Sequence, residues 1–311
     1  MSDSLIHAAA GSAAGIVAMT ATYPLIFLST RSAVEVKKES KSTAQAVKDI
    51  IKREGFTGLY SGLSSSLLAI GVTNGVYYYF YERARGAILR SRVGGKGLST
   101  FESILAGLIA GSATTLISNP IWVVQTSQAT QSMEETPAGQ PQRKRKGIFA
   151  TISHILATDG PKALLRGLGP ALVLVMNPVI QYTVFEQLKN LVVRRRTHRL
   201  RETLGAGATV IAALSDWDFF WLGALAKLAA TGSTYPYIVV KSRLQSGHEH
   251  AKRYKGALDG ILTIIREEGI EGLYKGIGNK LTQSVLTAAI LFASQRRIYE
   301  ITKAALAKAT A

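Results

Sequence analysis

The 311-residue chain has no cysteine, which excludes disulfides and thiolate metal sites and leaves its redox compartment unmarked. Charge is sparse, at 18% of residues, and acidic charge is the scarcer kind: 20 Asp and Glu stand against 37 Lys and Arg, a formal excess of +17. With 47% hydrophobic residues and a positive mean hydropathy, this balance suits a polytopic membrane protein better than soluble domains. No zinc-ligand spacing, RNP-type aromatic motif or basic recognition helix accompanies the positive charge, which sets nucleic acid aside as a partner. There is no P-loop, and His7, His154, His198, His248 and His250 show no metal-ligand arrangement beyond His248-x-His250 in a polar loop. The chain therefore reads as neither an enzyme nor a holder of a cofactor. The start, Met-Ser-Asp-Ser, lacks a basic signal-peptide region and an Arg-rich amphipathic pattern, so targeting information is expected to be internal.

What the chain does have is repetition. Three prolines fall in long apolar stretches, in Tyr23-Pro24-Leu25, Asn119-Pro120-Ile121 and Tyr235-Pro236-Tyr237. Past a polar stretch, each is followed by an acid-glycine pair and a closing glycine: Glu54-Gly55 to Gly62, Asp159-Gly160 to Gly167, and Glu268-Gly269 to Gly276. Upstream, Gly11 and Gly15, Gly107 and Gly111, then Gly223 and Lys227 hold equivalent places, the second of each pair lying nine residues before its proline. Such a period defines three repeats, drawn at 1–93, 94–201 and 202–311.

Hydropathy places six helices near 5–34, 63–88, 101–127, 168–193, 218–245 and 277–303. About 20 residues cross the hydrocarbon, so each has length to spare. A proline inside such a helix removes a backbone bond, and small-xxx-small pairs admit close helix approach. Amphipathic stretches at 44–53, 149–157 and 257–266 read as surface helices. The fold class is thus an all-α membrane protein with six transmembrane helices in three pseudosymmetric repeats, joined by short amphipathic surface helices. Residues 128–146 read as a mobile basic loop, and 194–216 as a connection opening on a basic run. Clusters such as Arg143-Lys144-Arg145-Lys146 and Arg194-Arg195-Arg196 suit anionic lipid headgroups, anionic substrates or both.

Lysine within a span costs several kcal/mol unless it faces water or a partner, which makes Lys227 and Lys280 candidates for holding phosphate. Snorkelling to the surface or bracing by backbone carbonyls is the competing explanation for both.

The triplicate motif resembles the signature of the mitochondrial carrier superfamily, proline-x-acid-x-x-base-x-base followed by acid-Gly-x4-aromatic-base-Gly, over essentially the whole chain. The resemblance implies a six-helix bundle with one central substrate site open alternately to either side, and cytosolic termini. Asn177-Pro178-Val179-Ile180-Gln181, Leu225-Ala226-Lys227, Lys280-Leu281-Thr282-Gln283 and Asn119-Pro120-Ile121-Trp122-Val123-Val124 are similar to the peroxisomal adenine-nucleotide carrier branch. That similarity implies a monomeric antiporter exchanging ATP for AMP or ADP, multi-pass in the peroxisomal membrane, with the mitochondrial inner membrane as alternative. Coenzyme A, NAD and FAD or FMN remain alternative substrates, and a non-transporting membrane adaptor is a further alternative.

The family level of substrate contact falls at Ala69, Leu174 and Gln283, with Asn74, Tyr77, Tyr78, Asn177 and Gln181 around it. Aromatic faces and amide edges suit a purine, although interhelical hydrogen bonding and packing would equally explain them. The signature's acid slots hold Ile26, Trp122 and Ile238, and its first base slots hold Ser29, Gln125 and Lys241. No ion-pair ring can form there, so an apolar gate of Ile26, Trp122 and Ile238 is expected. Arg31, Lys241 and Arg243 keep base slots and would attract phosphate, or be solvated helix-end charges. Toward the opposite end, Glu82, Arg85, Glu186 and Lys189 keep the family's second gate motif, while Ser294-Gln295-Arg296-Arg297 has lost its acid.

Overall fold

The computed structural model describes residues 3–36, 43–91, 97–131, 147–204, 213–248, 254–288 and 290. Of the loop expected at 128–146, residues 128–130 belong instead to the helix Thr100–Thr130, and 132–146 lie outside the described residues, as do His250 and residues 291–303 of the expected sixth helix with the Ser294–Arg297 motif. Among those described there is no strand. There are long helices α1 (Asp3–Val34), α3 (Leu63–Arg90), α4 (Thr100–Thr130), α7 (Asn177–Leu204) and α8 (Asp216–Ser246), and short helices α2 (Thr43–Glu54), α5 (Ile148–Asp159), α6 (Leu168–Val173) and α9 (Ala257–Glu268). A last helical stretch, α10, covers 277–288. At about 1.5 Å per residue, helices of this length exceed the ~30 Å hydrocarbon layer. Among the described residues, 100–130 and 161–203 are long and apolar enough to span by composition alone. The helices α3 and α8 are nearly as long but carry Thr73, Asn74 and a tyrosine run, or Lys227 and Thr231 to Thr234.

The fourth span departs from the single helix expected at 168–193. Pro178 is the second residue of α7 and has no N–H to offer the preceding turn. The backbone tightens into a 3-10 turn at Leu174–Met176 between α6 and α7. The helix then runs on to Leu204, so the basic residues 194–201 lie on a helix rather than in a connection. Two helix starts carry reciprocal side-chain caps. The Ser99 amide donates to Glu102 Oε2 at 2.8 Å while the Glu102 amide donates to Ser99 Oγ at 3.3 Å. Ser215 and Asp218 repeat the arrangement at the start of α8. Close approach at small residues is realised in the second repeat. A Cβ on Gly111 would lie 2.6 Å from Val175 Cγ1, whereas Gly15 and Gly223 have nothing within 4 Å.

The chain divides into two compact units, one of Met1–Asn74, Ser118–Gly167 and Val239–Ala311, the other of Gly75–Ile117 and Leu168–Ile238. The first holds all the surface helices and glycine turns. Each surface helix buries one isoleucine four residues before its terminal acid, Ile50, Ile155 and Ile264. The glycine after that acid has φ of +71°, +75° and +76° with ψ near 180°, a region open in practice to glycine alone. The residue before the proline then fastens the turn to the long helix. Tyr23 Oη donates to Ser61 O at 2.8 Å, and Asn119 Nδ2 donates to Arg166 O and Leu164 O, both at 3.1 Å.

Gly160→Ala is expected to cost about 1–3 kcal/mol through backbone strain alone, because nothing stands within 4 Å of the added carbon. Gly167→Ala adds overlap with Lys241 O at 3.0 Å and Gln245 Cγ at 2.9 Å, another ~1–3 kcal/mol. Thermal unfolding in detergent checks the order: Gly167→Ala should melt below Gly160→Ala, and the reverse order would contradict the assigned close approach.

Candidate functional site

Within the first unit the repeats meet at three equivalent joints. Each sets the closing glycine of one repeat against the first base slot of the next. A Cβ on Gly62 would lie 3.3 Å from Gln125 O, and one on Gly167 would lie 3.0 Å from Lys241 O. Ser29 Oγ donates to Gly276 O at 3.3 Å. Around these joints the bonding is mostly between neutral groups. Ser65 Oγ donates to Gln128 Oε1, and Ser61 Oγ to Gln128 O at 3.1 Å. Thr126 Oγ1 donates to Gln245 Oε1 at 3.3 Å, and Gln245 Nε2 to Asn119 Oδ1 at 3.1 Å. A third series runs from Gln283 Nε2 to Thr287 Oγ1 at 2.8 Å and on to Thr22 Oγ1 at 2.9 Å. Each bond satisfies groups that lipid would leave without partners. The repeat motifs alone do not single out Tyr23, Asn119, Thr126, Gln128 and Gln245 as joint residues. Their signal in the sequence is polarity within apolar helices, at positions adjoining the repeated prolines and base slots.

Trp122 and Lys241 come together in this unit. The Lys241 ammonium lies 5.5 Å from the Trp122 ring centre, within cation–π range, and Trp122 Nε1 donates to Thr73 Oγ1 at 3.3 Å. Lys280 lies one turn into α10, its amide bonded to Gly276 O at 3.1 Å. Gln283, on the same helix, is 8% exposed and its Oε1 has no hydrogen-bond partner among the described residues. Ile26, expected with Trp122 in an apolar gate, packs against the cluster of Tyr23, Phe27 and Ile50. Arg31 lies over Phe27 at 4.7 Å.

Arg243 has a different environment from the other base slots. Its side chain is fully buried and forms a two-pronged pair with Glu268, one bond at 2.9 Å. Nε donates to Ala33 O at 3.0 Å, and the remaining donors reach Tyr254 Oη at 3.3 Å and Glu35 O at 3.5 Å. All five donors are thereby used on protein. Lys275 completes the cluster, donating to Glu268 Oε2 at 2.7 Å and Glu35 O at 3.0 Å. The expected phosphate-attracting role is replaced by a tie between the first and third repeats. The sequence could not reveal this, because Glu268 and Glu35 are remote from Arg243 along the chain.

In the second unit, Lys227 is exposed and has no hydrogen bond or ion pair to the described residues. Tyr77 stacks on Tyr81 with ring centres 5.9 Å apart, and its hydroxyl approaches Gly107. Tyr78 is 71% exposed. Asn177 is committed to helix packing, with Nδ2 donating to Thr234 Oγ1 at 2.7 Å and Ala230 O at 3.1 Å. Gln181 is half-buried, as is Ile238, and in the first unit Asn74 is exposed. The second gate motif pairs within single helices, Arg85 with Glu82 at 3.2 Å and Lys189 with Glu186 at 2.6 Å, each three residues apart.

Residues 2–92, 96–196 and 213–309 match the mitochondrial carrier protein family. The peroxisomal nicotinamide adenine dinucleotide carrier of Arabidopsis thaliana is 36% identical, over 100% of this chain and 99% of its own length. Peroxisomal membrane protein PMP34 of Mus musculus is 33% identical over 93% of this chain and 91% of its own. Peroxisomal membrane protein PMP47B of Candida boidinii is 31% identical over 93% and 84%.

The Arg243–Glu268 pair predicts a pH dependence. Burial disfavours the Glu268 charge, but bonds from Arg243 and Lys275 outweigh it and hold the carboxyl below its ordinary value of 4.5. A depressed folded pKa gives stability that is complete above 4.5 and lost as pH falls through the folded value. Glu268→Gln should cost about 3–5 kcal/mol at neutral pH, since Arg243 loses its charged partner. It should also flatten the decline of unfolding temperature below pH 4.5. An unchanged acid limb would count against the pair.

Proposed function

As the chain belongs to the mitochondrial carrier family, we propose that it is an antiporter exchanging adenine nucleotides, ATP for AMP or ADP, across the peroxisomal membrane by alternating access. The observation that carries this reading is the Lys241 ammonium, held within a membrane helix 5.5 Å from the Trp122 ring centre in the unit where the three repeats meet. Lys241 faces an aromatic ring rather than a carboxylate. A phosphate chain supplies the missing negative charge. Lys227 is a further cation on a membrane helix, and Tyr77 and Tyr78 offer aromatic faces of the kind a purine stacks on. Gln283 Oε1 is a buried acceptor suited to an N–H donor such as an exocyclic amine. One chain holds all three repeats, so a monomer suffices, and exchange requires no covalent chemistry.

A second reading, exchange of NAD, is favoured by the relative at 36% identity over the whole chain that is named for that activity. NAD also joins an adenine to phosphates, so the same lysines would serve. Purified protein in liposomes preloaded with unlabelled nucleotide, challenged with labelled ATP, AMP, NAD or coenzyme A, separates these readings by relative rate. Lys241→Ala and Lys280→Ala should each raise the half-saturating concentration about 10- to 100-fold, the worth of a hydrogen bond to a charged group. Absence of counter-exchange for every adenine compound would overturn the proposal and favour a non-transporting membrane adaptor.

A further inference from the structure

The far end of α7 changes character without ending the helix, which carries residues 194–201 on to Leu204. From Leu168 to Leu204, at 1.5 Å per residue, the helical path is roughly 55 Å, whereas a bilayer with its headgroups measures about 40–45 Å. The last turns of α7 therefore reach the headgroup layer. There Arg194, Arg195, His198, Arg199 and Arg201 fall within about 160° of the helix circumference, and all are exposed. The four arginines of this face have no ion pair among the described residues, and Glu202 lies 3.2 Å from His198. Arg196 points to the other side, that of Val193 and Leu200, and clasps Asp218 with two bonds of 2.6 Å. Asp218 is held in turn by the amide and hydroxyl of Ser215. The pair thus fixes the basic end of α7 against the first turn of α8. That turn begins a stripe of Trp217, Trp221, Leu225 and Leu228, each exposed, at the i, i+4, i+8, i+11 spacing of one helix face. Exposed leucines inside a spanning helix face acyl chains, which puts the two tryptophans at the rim of the hydrocarbon, where amphipathic rings settle.

We propose that this end of α7 is a docking surface for anionic phospholipid, the headgroup held by Arg194, Arg195, Arg199 and Arg201 and the acyl chains lying against the stripe at 217–228 on α8. The two elements ask for both chemistries in one molecule. A soluble polyanion would meet the arginines and leave the apolar stripe uncovered. A zwitterionic lipid would cover the stripe, but the cation beside its phosphate leaves the guanidinium charges unbalanced. A lipid of net negative charge satisfies both, with planar guanidinium groups suited to bidentate bonds with phosphate and carboxylate oxygens. Each arginine near such a surface is worth about fivefold in affinity. Arg196 is the positioning residue, since its pair with Asp218 brings the basic face and the aromatic rim together. The surface is formed by α7 and α8 alone and does not depend on what the protein transports.

Brominated lipids read this surface through its own tryptophans. The chain has 3 tryptophans, so Trp122→Phe leaves Trp217 and Trp221 as the reporting indoles. The full chain is reconstituted into phosphatidylcholine vesicles containing a rising fraction of brominated phosphatidylserine or, in parallel, brominated phosphatidylcholine. Quenching should show phosphatidylserine favoured about 10-fold at low salt, an advantage that shrinks as salt rises. Arg194→Gln, Arg195→Gln, Arg199→Gln and Arg201→Gln combined should bring the two lipids to parity. The same four positions as Arg→Lys should keep most of the advantage, which separates loss of charge from loss of fold. Bromines at the headgroup end of the acyl chain should quench more strongly than bromines at its tip, and the reverse order would overturn the placing of the tryptophans at the rim. Equal quenching by the two lipids, with all four arginines present, would overturn the proposal and leave this face to an acidic protein partner. An advantage that persists in the Gln variant would overturn its assignment to these arginines. Failure of nucleotide counter-exchange touches none of these outcomes, and parity of the two lipids leaves the transport reading intact.

Discussion

In the unit that carries the surface helices, the arrangement depends on how near one repeat's helix can come to the closing glycine of the repeat before it. At Gly167 and Gly62 the neighbouring carbonyl stands 3.0 and 3.3 Å from where a Cβ would be, and at Gly276 a hydroxyl reaches the glycine carbonyl. That proximity brings Gln125, Lys241 and Ser29 to equivalent places and sets the reach of every side chain beyond them. The hydrogen bonds of Thr126, Gln245, Asn119 and Gln128 are short-range interactions that form once the backbones are this close. The turns that deliver these glycines are in turn fastened by Tyr23 and Asn119, the residues preceding Pro24 and Pro120. Backbone proximity therefore comes first, and the chemistry of each joint is decided by what the base slot holds.

The repeats themselves are legible because they recur in register, and the surface helices because their apolar stripe recurs with them. The break at Leu174–Met176 is also intelligible from sequence, in Pro178, but hydropathy averages over a missing N–H and reads as one continuous helix. Side-chain roles are less legible. Arg243 and Lys241 are two residues apart in the same motif and look alike as phosphate binders. One turns inward to Glu268, 25 positions later, and the other rests on a ring from the previous repeat. Helical spacing fixes the angular offset between two such residues but not what stands opposite each, and here those partners are remote in sequence. Asn177 is obscured for the same reason: an amide in a span suits a purine edge, but Thr234 and Ala230 on the adjacent helix reach it first.

Several acids are paired nearby, although Asp218 of the third repeat pairs with Arg196 of the second at 2.6 Å. Asp159 bonds Arg166 at 2.9 Å around its glycine turn, and Glu268 bonds Lys275 at 2.7 Å around the equivalent one. Glu82 and Glu186 each pair with a base on the same helix. Such pairs are satisfied within one repeat and do not have to be broken for repeats to separate. The joints between repeats, where separation would be costly if charges were parted in a low-dielectric medium, rely largely on hydroxyls and amides. Arg243, paired with Glu268 inside the third repeat, also donates to Ala33 O and Glu35 O and so ties that repeat to the end of α1.

The remaining charge is distributed unevenly in a way that the three-fold pattern makes visible. Lys227 stands where the other repeats have Gly15 and Gly111, Lys241 where they have Ser29 and Gln125, and Lys280 where they have Ser66 and Ala171. All three lysines belong to the third repeat. Ser66 and Ala171 are buried at 1% and 6% exposure, so the positions equivalent to Lys280 in the other repeats are closed packing surface rather than alternative cation sites. A scaffold of nearly equivalent repeats with these three lysines on one of them suits a ligand whose negative charge is concentrated at one part of the molecule and whose remainder is satisfied by hydrogen bonds and aromatic faces. A phosphate chain attached to a purine nucleoside, the substrate class proposed above, has this polarity.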